Sequence, residues 1–239
     1  MKGQNHLRET EKMFIDLHLH ESAYSPDSQM TLDELVQAAR EKGLGAVCIT
    51  DHDSMGLKEF AAEYSEKTGF PIFVGIEFYS LQGDIVAFGI EDYPKERIPA
   101  QEFVDLVQAQ GGMCFSAHPF RNNNRGLEEN LKIVKGLDGI EVLNGSTLYE
   151  ANRKAAEYAA ELGLATVGSS DCHVPEKLGI YATYFPREIR SVQELIRSVK
   201  RCETLPVYYK EGGYYLWDMK NPIDAPFHIY EQEQMVCAG

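Results

Sequence analysis

An α/β fold organised around a parallel sheet is predicted by three features of this sequence. Short apolar runs alternate with longer amphipathic segments from residue 13 to residue 201. Such repeated strand-then-helix units imply right-handed crossovers onto a sheet that is either doubly wound or closed into a barrel. The composition, 44% apolar and 25% charged with 20 Gly and 10 Pro, is that of an ordinary globular chain, not a disordered, collagen-like or fibrous one. A length of 239 residues fits two domains or one α/β barrel, which commonly runs to roughly 250 residues.

The first strand is the apolar run 13–17. A helix over 31–42 follows, where Leu32, Leu35, Val36 and Ala39 recur at helical spacing and Thr31 with Glu34 forms a capping-box pattern. Residues 46–50 read as a strand, 54–67 as a helix and 72–78 as a strand closely followed by 85–90; the Gly83-Asp84 turn pairs these last two as a hairpin. The alternation resumes with a helix over 100–110, a strand over 113–117, a helix over 127–135 and a strand over 139–143. A helix over 149–162, strands over 165–169 and 181–185, and a helix over 192–201 complete the series. Beyond it Tyr208, Tyr209, Tyr214, Tyr215, Trp217, Phe227 and Tyr230 make an aromatic-rich extension, expected to pack on the main body because aromatics chiefly fill cores. The expected organisation is a polar leader over 1–12, one main domain over 13–204 and a C-terminal extension over 205–239.

Acidic residues outnumber basic ones 37 to 23, giving a formal charge of −14. Diffuse attraction to duplex nucleic acid or anionic lipid is therefore not expected, and an anionic substrate needs local cations. Cysteines at 48, 114, 172, 202 and 237 form no C-x-x-C pair, and their odd number does not suggest a disulfide framework. The polar opening lacks the apolar stretch of a signal peptide, and no apolar run reaches the roughly 18 residues of a membrane span. A cytoplasmic location is the expectation.

Five of the seven histidines, His18, His20, His52, His118 and His173, fall at or just beyond the C-terminal end of a predicted strand. Functional side chains of parallel α/β folds gather at that edge. His18 and His20 are two apart on an extended segment, as are Asp171 and His173, so each pair projects from one face. Asp27, in the loop after the first strand, and Glu77, at the end of the third, add carboxylates at matching depths. Nitrogen and oxygen donors without a thiolate suit Mn²⁺, Fe²⁺ or Zn²⁺, and the eight candidates exceed the roughly four to six positions of one ion, so two or three ions are implied. Such ions would overturn the carboxylate charge and leave a locally positive pocket suited to phosphate. Taken singly, His118 before Pro119 reads as a satisfied polar residue and Asp53 as the N-cap of the helix over 54–67; donors at five strand ends on one rim argue for a shared site. Cys172 lies between two of them and should point away. No G-x-x-x-x-G-K, G-x-G-x-x-G, G-x-S-x-G or H-E-x-x-H string occurs, so common NTPase, dinucleotide, serine-hydrolase and zincin signatures fail.

The segments FIDLHLHESAYSPDS, AVCITDHDS, VGIEF, FSAHPF and VGSSDCH, in this order, resemble the successive motifs of the PHP (polymerase and histidinol phosphatase) superfamily over residues 13–185. The resemblance implies a distorted (β/α)7 barrel with parallel strands, up to three divalent metals on its C-terminal rim and hydrolysis of phosphate esters. It also implies that His18, His20, Glu77 and Asp171 hold one ion, that Glu77 bridges to a second bound by His118, and that Asp27, His52 and His173 hold a third. Many members carry a further histidine in the strand after the Glu motif; the stretch DIVAFG here has none, which leaves Asp84 or a water for that position. The run VPEKLGIYATYF after His173 resembles free-standing members rather than polymerase-attached domains.

A water shared between such ions has its pKa lowered toward about 7, giving hydroxide for in-line attack on phosphorus. Glu77 and Asp171 hold the reacting cluster, and the leaving group is protonated by a metal-bound water, or by His20 or His173 if either is not fully occupied as a ligand. Arg121 and Arg125, directly after the His118 strand, are placed to clamp phosphate. The expectation is a metal-dependent phosphoesterase for a small phosphomonoester, with a nucleoside 3′,5′-bisphosphate or a short oligonucleotide end favoured. Histidinol phosphate is the alternative substrate, amide or ester hydrolysis the alternative reaction, and a non-catalytic metal-binding regulatory module the alternative class. The expected partner is thus a small phosphorylated molecule, with neither duplex nucleic acid nor membrane.

Overall fold

The computed structural model describes residues 12–218; the expectations for nearly all of the leader and for Phe227 and Tyr230 lie outside the described residues. β1 (Met13–Leu19) is buried almost throughout, as a strand covered on both faces must be. α1 (Leu32–Glu41) starts at the reciprocal capping box of Thr31 and Glu34 and turns Leu32, Leu35, Val36 and Ala39 inward. There follow β2 (Ala46–Ile49), α2 (Lys58–Thr68), β3 (Ile72–Val74), β4 (Ile76–Tyr79), β5 (Asp84–Phe88), α3 (Ala100–Ala109) and β6 (Met113–Ser116). β7 (Gly139–Asn144), α4 (Tyr149–Leu162), β8 (Ala165–Ser169), β9 (Tyr181–Phe185), α5 (Val192–Lys200), β10 (Leu205–Lys210) and β11 (Gly213–Leu216) complete the order.

The strands form two mixed sheets, not the expected barrel of parallel strands closed into one ladder. One runs β11-β10-β9-β1-β2-β3 and the other β4-β5-β6-β7-β8. β1, β2 and β3 are mutually parallel, as are β6, β7 and β8, while β5 runs against both β4 and β6, and β9 against both β1 and β10. The expected strand over 72–78 breaks at Gly75, whose N–H donates to the Ile49 carbonyl. β3 thereby stays with β2 while β4 crosses to pair with β5. A Cβ on Gly75 would lie 2.5 Å from the Ala87 carbonyl oxygen, so only glycine lets the chain pass from one sheet to the other here. Gly75→Ala is expected to cost about 1–3 kcal/mol, read as a lower denaturant midpoint at unchanged slope.

The apolar residues Leu127, Leu131 and Val134 are buried at helical spacing. The expected helix over 127–135 nevertheless shortens to a 3₁₀ stretch, Glu128–Lys132, entered through Glu128 at φ 48°. α2 also starts later than expected: Asp53 does not cap it, and its carboxylate instead accepts the Tyr79 N–H at 2.8 Å. Two isolated bridges, Leu19 with Cys172 and His52 with Glu77, join the sheets along two seams. The strand ends of both sheets therefore meet on one rim. At the far edge Tyr214 stacks on Phe14 at 4.6 Å and its hydroxyl donates to the Gly179 carbonyl at 2.9 Å. Among the described residues no helix is long and apolar enough to cross a membrane.

Candidate metal centre

Side chains from both sheets converge where the seams meet. β1 delivers His18, and His20 follows directly after its end, both fully buried, while the intervening Leu19 packs away from them into an apolar cluster with Cys172. Glu77 on β4 is the hub. Its Oε1 lies 3.4 Å from His18 Nε2 and 3.0 Å from His118 Nε2, and its Oε2 lies 3.7 Å from His20 Nε2 and 2.6 Å from His52 Nδ1. Asp171, beyond β8, places Oδ1 3.3 Å from His20 Nε2 and 3.7 Å from His18 Nε2. Asp27 Oδ2 sits 3.1 Å from His52 Nε2 and 3.3 Å from His173 Nε2. All eight residues singled out as donors thus share one constellation.

The backbone is bent to achieve this. His118 and Asp171 adopt φ values of 26° and 47°, a region that costs about 1–3 kcal/mol for a non-glycine residue and persists where surrounding structure enforces it. Asp171 therefore does not continue an extended strand, so strand alternation is not what brings Asp171 and His173 to the rim.

Three donor groups have ligand atoms within 4.8 Å of one another: His18, His20 and Asp171; His18, Glu77 and His118; and His20, His52 and His173. Within them His18 Nε2 and His20 Nε2 are buried without a hydrogen-bond partner. Each such orphan costs about 1–3 kcal/mol if nothing engages it. A cation coordinated by these atoms fits the donor set.

Electrostatics agree. Burial alone would raise the Glu77 carboxyl, but His18, His118 and His52 hold it well below the usual range. Asp171 is likewise lowered against burial by His18 and His20. Burial works to lower His18, yet Asp171, Glu77 and Glu141 push it well up. His20 is brought down to about 4, chiefly by burial, so it stays neutral and able to donate a lone pair.

Comparisons with known proteins fit this geometry. A family model described as PHP-associated matches residues 149–204. A probable histidinol-phosphatase of Clostridium acetobutylicum is 27% identical over 138 residues, 58% of this chain and 43% of its own length. A two-domain protein from Bacteroides vulgatus containing a predicted PHP-like metal-dependent phosphoesterase superposes with a TM-score of 0.67 at 20% identity, over 85% of this chain and 66% of that one. The chain is thus similar to PHP-associated sequences over residues 149–204 and shares its fold with a PHP-like protein. The lesion-specific endonuclease Q of Pyrococcus furiosus shares the fold at 19% identity, with a TM-score of 0.63 over 80% of this chain and 56% of its own.

The first ring of donors is held by groups that no sequence signal singles out. Glu141 on β7 is fully buried; its Oε1 lies 3.2 Å from His18 Nδ1, and its Oε2 accepts the His118 N–H at 2.7 Å. Asn144 donates through Nδ2 to Glu141 at 3.0 Å and to Asp171 at 3.1 Å. A carboxylate only accepts, so His18 carries its proton on Nδ1 when neutral and turns a bare Nε2 to the cluster. A similar chain fixes His20: the Ser25 hydroxyl donates to Asp51 at 2.8 Å, leaving its oxygen to accept from His20 Nδ1 at 3.3 Å. Buried Asp16 anchors the neighbouring loop by accepting the Ser170 and Gly179 N–H groups, both at 3.0 Å. No signal in β7 marks Glu141, because every residue of GIEVLN is buried and alternation vanishes. Glu141→Gln is expected to weaken Mn²⁺ binding about 10–100-fold, measured by competition with a chelating dye.

The two arginines expected to face phosphate line the same cavity, of about 190 Å³, with Asn123 between them in sequence. Neither is unpaired. Arg121 Nη1 donates to Asp171 at 2.7 Å, and Arg125 grips Asp84 through Nε at 2.7 Å and Nη2 at 3.0 Å.

Proposed function

We propose that this protein is a metal-dependent phosphoesterase acting on a small phosphomonoester. One observation carries the reading: the buried Nε2 atoms of His18 and His20, without hydrogen-bond partners, converge on the Glu77 and Asp171 carboxylates beside two guanidinium groups. His18, His20, Asp171 and Glu77 would hold one divalent ion, and Asp27, His52 and His173 another, with Glu77 and His118 available to a third; Mn²⁺, Fe²⁺ or Zn²⁺ suits the donor set. Ions held there supply Lewis acidity toward the phosphoryl oxygens and a strong oxygen nucleophile from water at neutral pH.

The remaining work falls to the chain itself. Glu77 and Asp171 fix the donor geometry. Arg121 and Arg125 keep N–H groups beyond those spent on carboxylates, and a guanidinium matches phosphate oxygens in a planar fork. His173, a quarter exposed at 25% and lining the cavity, is the imidazole we assign to protonate the departing alkoxide when Asp27 and His52 hold the outer ion without it. His20 is the poorer donor, since burial keeps it neutral. The cavity, about 190 Å³, is smaller than the roughly 300–1,000 Å³ of sites that enclose a whole drug-sized ligand. It suits a terminal phosphate with the rest of the molecule outside, which favours a nucleoside 3′,5′-bisphosphate or the end of a short oligonucleotide. The kinship in fold with endonuclease Q leaves nucleic-acid ends as apt substrates, whereas the net charge of −14 opposes embrace of a long duplex backbone. The 27% identity to a probable histidinol-phosphatase favours histidinol phosphate as the second reading. We further assign residues 13–204 to the phosphoesterase unit and 205–239 to an appended element.

The test is orthophosphate release with Mn²⁺ from nucleoside bisphosphates, 3′-phosphorylated oligonucleotides, histidinol phosphate and sugar phosphates, alongside acylated amines and esters. Fastest release is expected from the bisphosphates or oligonucleotide ends. Turnover confined to the acyl compounds, or none at all, refutes the proposal.

A further inference from the structure

Among the carboxylates of the centre, Asp84 is placed differently from the rest. It is fully buried at the start of β5, with Oδ2 3.7 Å from His118 Nε2. Both of its oxygens are occupied by the Arg125 fork, and its backbone N–H donates to the Arg125 carbonyl at 2.7 Å. Side chain and main chain thus tie the same two residues together. The Arg125 guanidinium also lies 4.5 Å from the centre of the Tyr79 ring, and its Nη2 is 4.0 Å from Glu77 Oε2. The loop that carries it is seated closely on the β4–β5 turn: a Cβ on Gly83 would lie 2.6 Å from the Gly126 carbonyl carbon. A permanent positive charge is therefore fixed beside Glu77 and His118, the pair named above as available to a third ion.

We propose that the Arg125 guanidinium takes the place of one metal cation, so that this protein holds two divalent ions and a fixed arginine charge instead of three ions. The inference rests on the metal-centre reading above. It follows from like-charge exclusion: a divalent ion between Glu77 and His118 would sit close to a guanidinium that cannot lose its proton, and Asp84, the carboxylate that could compensate, is already neutralised. Arg125 in this role also presents its remaining N–H groups to a phosphate oxygen, joining charge and hydrogen bonding in one side chain.

Counting ions tests the idea without recourse to turnover. Elemental analysis of the full chain after equilibrium dialysis against saturating Mn²⁺ is expected to give two ions for the wild type. Arg125→Met, which keeps an apolar stem over Tyr79 and frees Asp84, is expected to give three, and Arg125→Met combined with Asp84→Asn returns to two. Circular dichroism and melting establish that each variant is folded; if Arg125→Met is not, Arg125→Gln, which still offers Asp84 a hydrogen bond, is expected to give three in its stead. Three ions on the wild type, or only two on a folded single variant, overturns the proposal. Absence of any bound Mn²⁺ overturns the metal-centre reading itself, a result distinct from either.

Discussion

Glu77→Gln is expected to reduce phosphate release by about a thousandfold or more, a loss near 4 kcal/mol of transition-state stabilisation. Among the described donors it is the side chain that reaches the most imidazoles: His18, His20, His52 and His118 all lie within 3.7 Å of its oxygens. Glutamine preserves the shape and one oxygen, so β4 should keep its place between β5 and the His52 bridge. What it removes is the charge that gathers those rings. The measurement is kcat/KM on the best substrate of the panel with Mn²⁺ saturating, alongside circular dichroism. A non-catalytic regulatory module predicts no turnover in either protein, and a folded variant of full activity would refute the assignment of Glu77.

Chelation is the second large effect. Removal of divalent ions is expected to abolish activity and to lower the melting temperature, with both restored by Mn²⁺. An ion present at about 100 times its Kd adds roughly 2.7 kcal/mol to folding stability, and the centre lies where the two sheets join. The stability of the metal-free form and the gain on adding metal should depend on pH with opposite sign. In the metal-free protein burial works to lower His52, but Glu77 and Asp27 carry it up to about 9, against roughly 6.5 when unfolded. Its contribution to stability is full below the unfolded value and is lost as pH rises through the folded one. The metal-free protein should accordingly melt lower near pH 9 than near pH 6.5, as His52 deprotonates. The gain in melting temperature on adding Mn²⁺ should instead grow with pH, because ions displace protons from imidazole. Calorimetry with and without chelator checks both slopes.

How far the sequence foretold this molecule depends on which kind of information each part requires. Elements set by local periodicity and caps were legible: α1 with its Thr31–Glu34 box, α4 over Tyr149–Leu162 and β8 over Ala165–Ser169 stand where spacing puts them. Strand direction was legible at the Gly83-Asp84 hairpin, where β4 and β5 pair antiparallel, but not elsewhere, because an apolar run such as Tyr181–Phe185 looks alike in either orientation, and β9 proved antiparallel to β1. The passage at Gly75 was hidden for a related reason: the glycine sits in an uninterrupted β-like run, and only the approach of Ala87 reveals why it must be glycine. Rim histidines were visible because they are polar residues at the ends of apolar strands. Glu141 was not, since it lies inside a wholly buried strand and its partner His18 is 123 residues away.

β9 carries one further consequence. One of its edges is taken by β1 and the other by β10, through Leu205 with Tyr184 and Val207 with Ala182. A protein shortened after residue 204 would present that second edge as a bare row of amides and carbonyls, a template for strands of neighbouring molecules. Shortened versions should therefore self-associate as concentration rises, even with every imidazole of the rim intact.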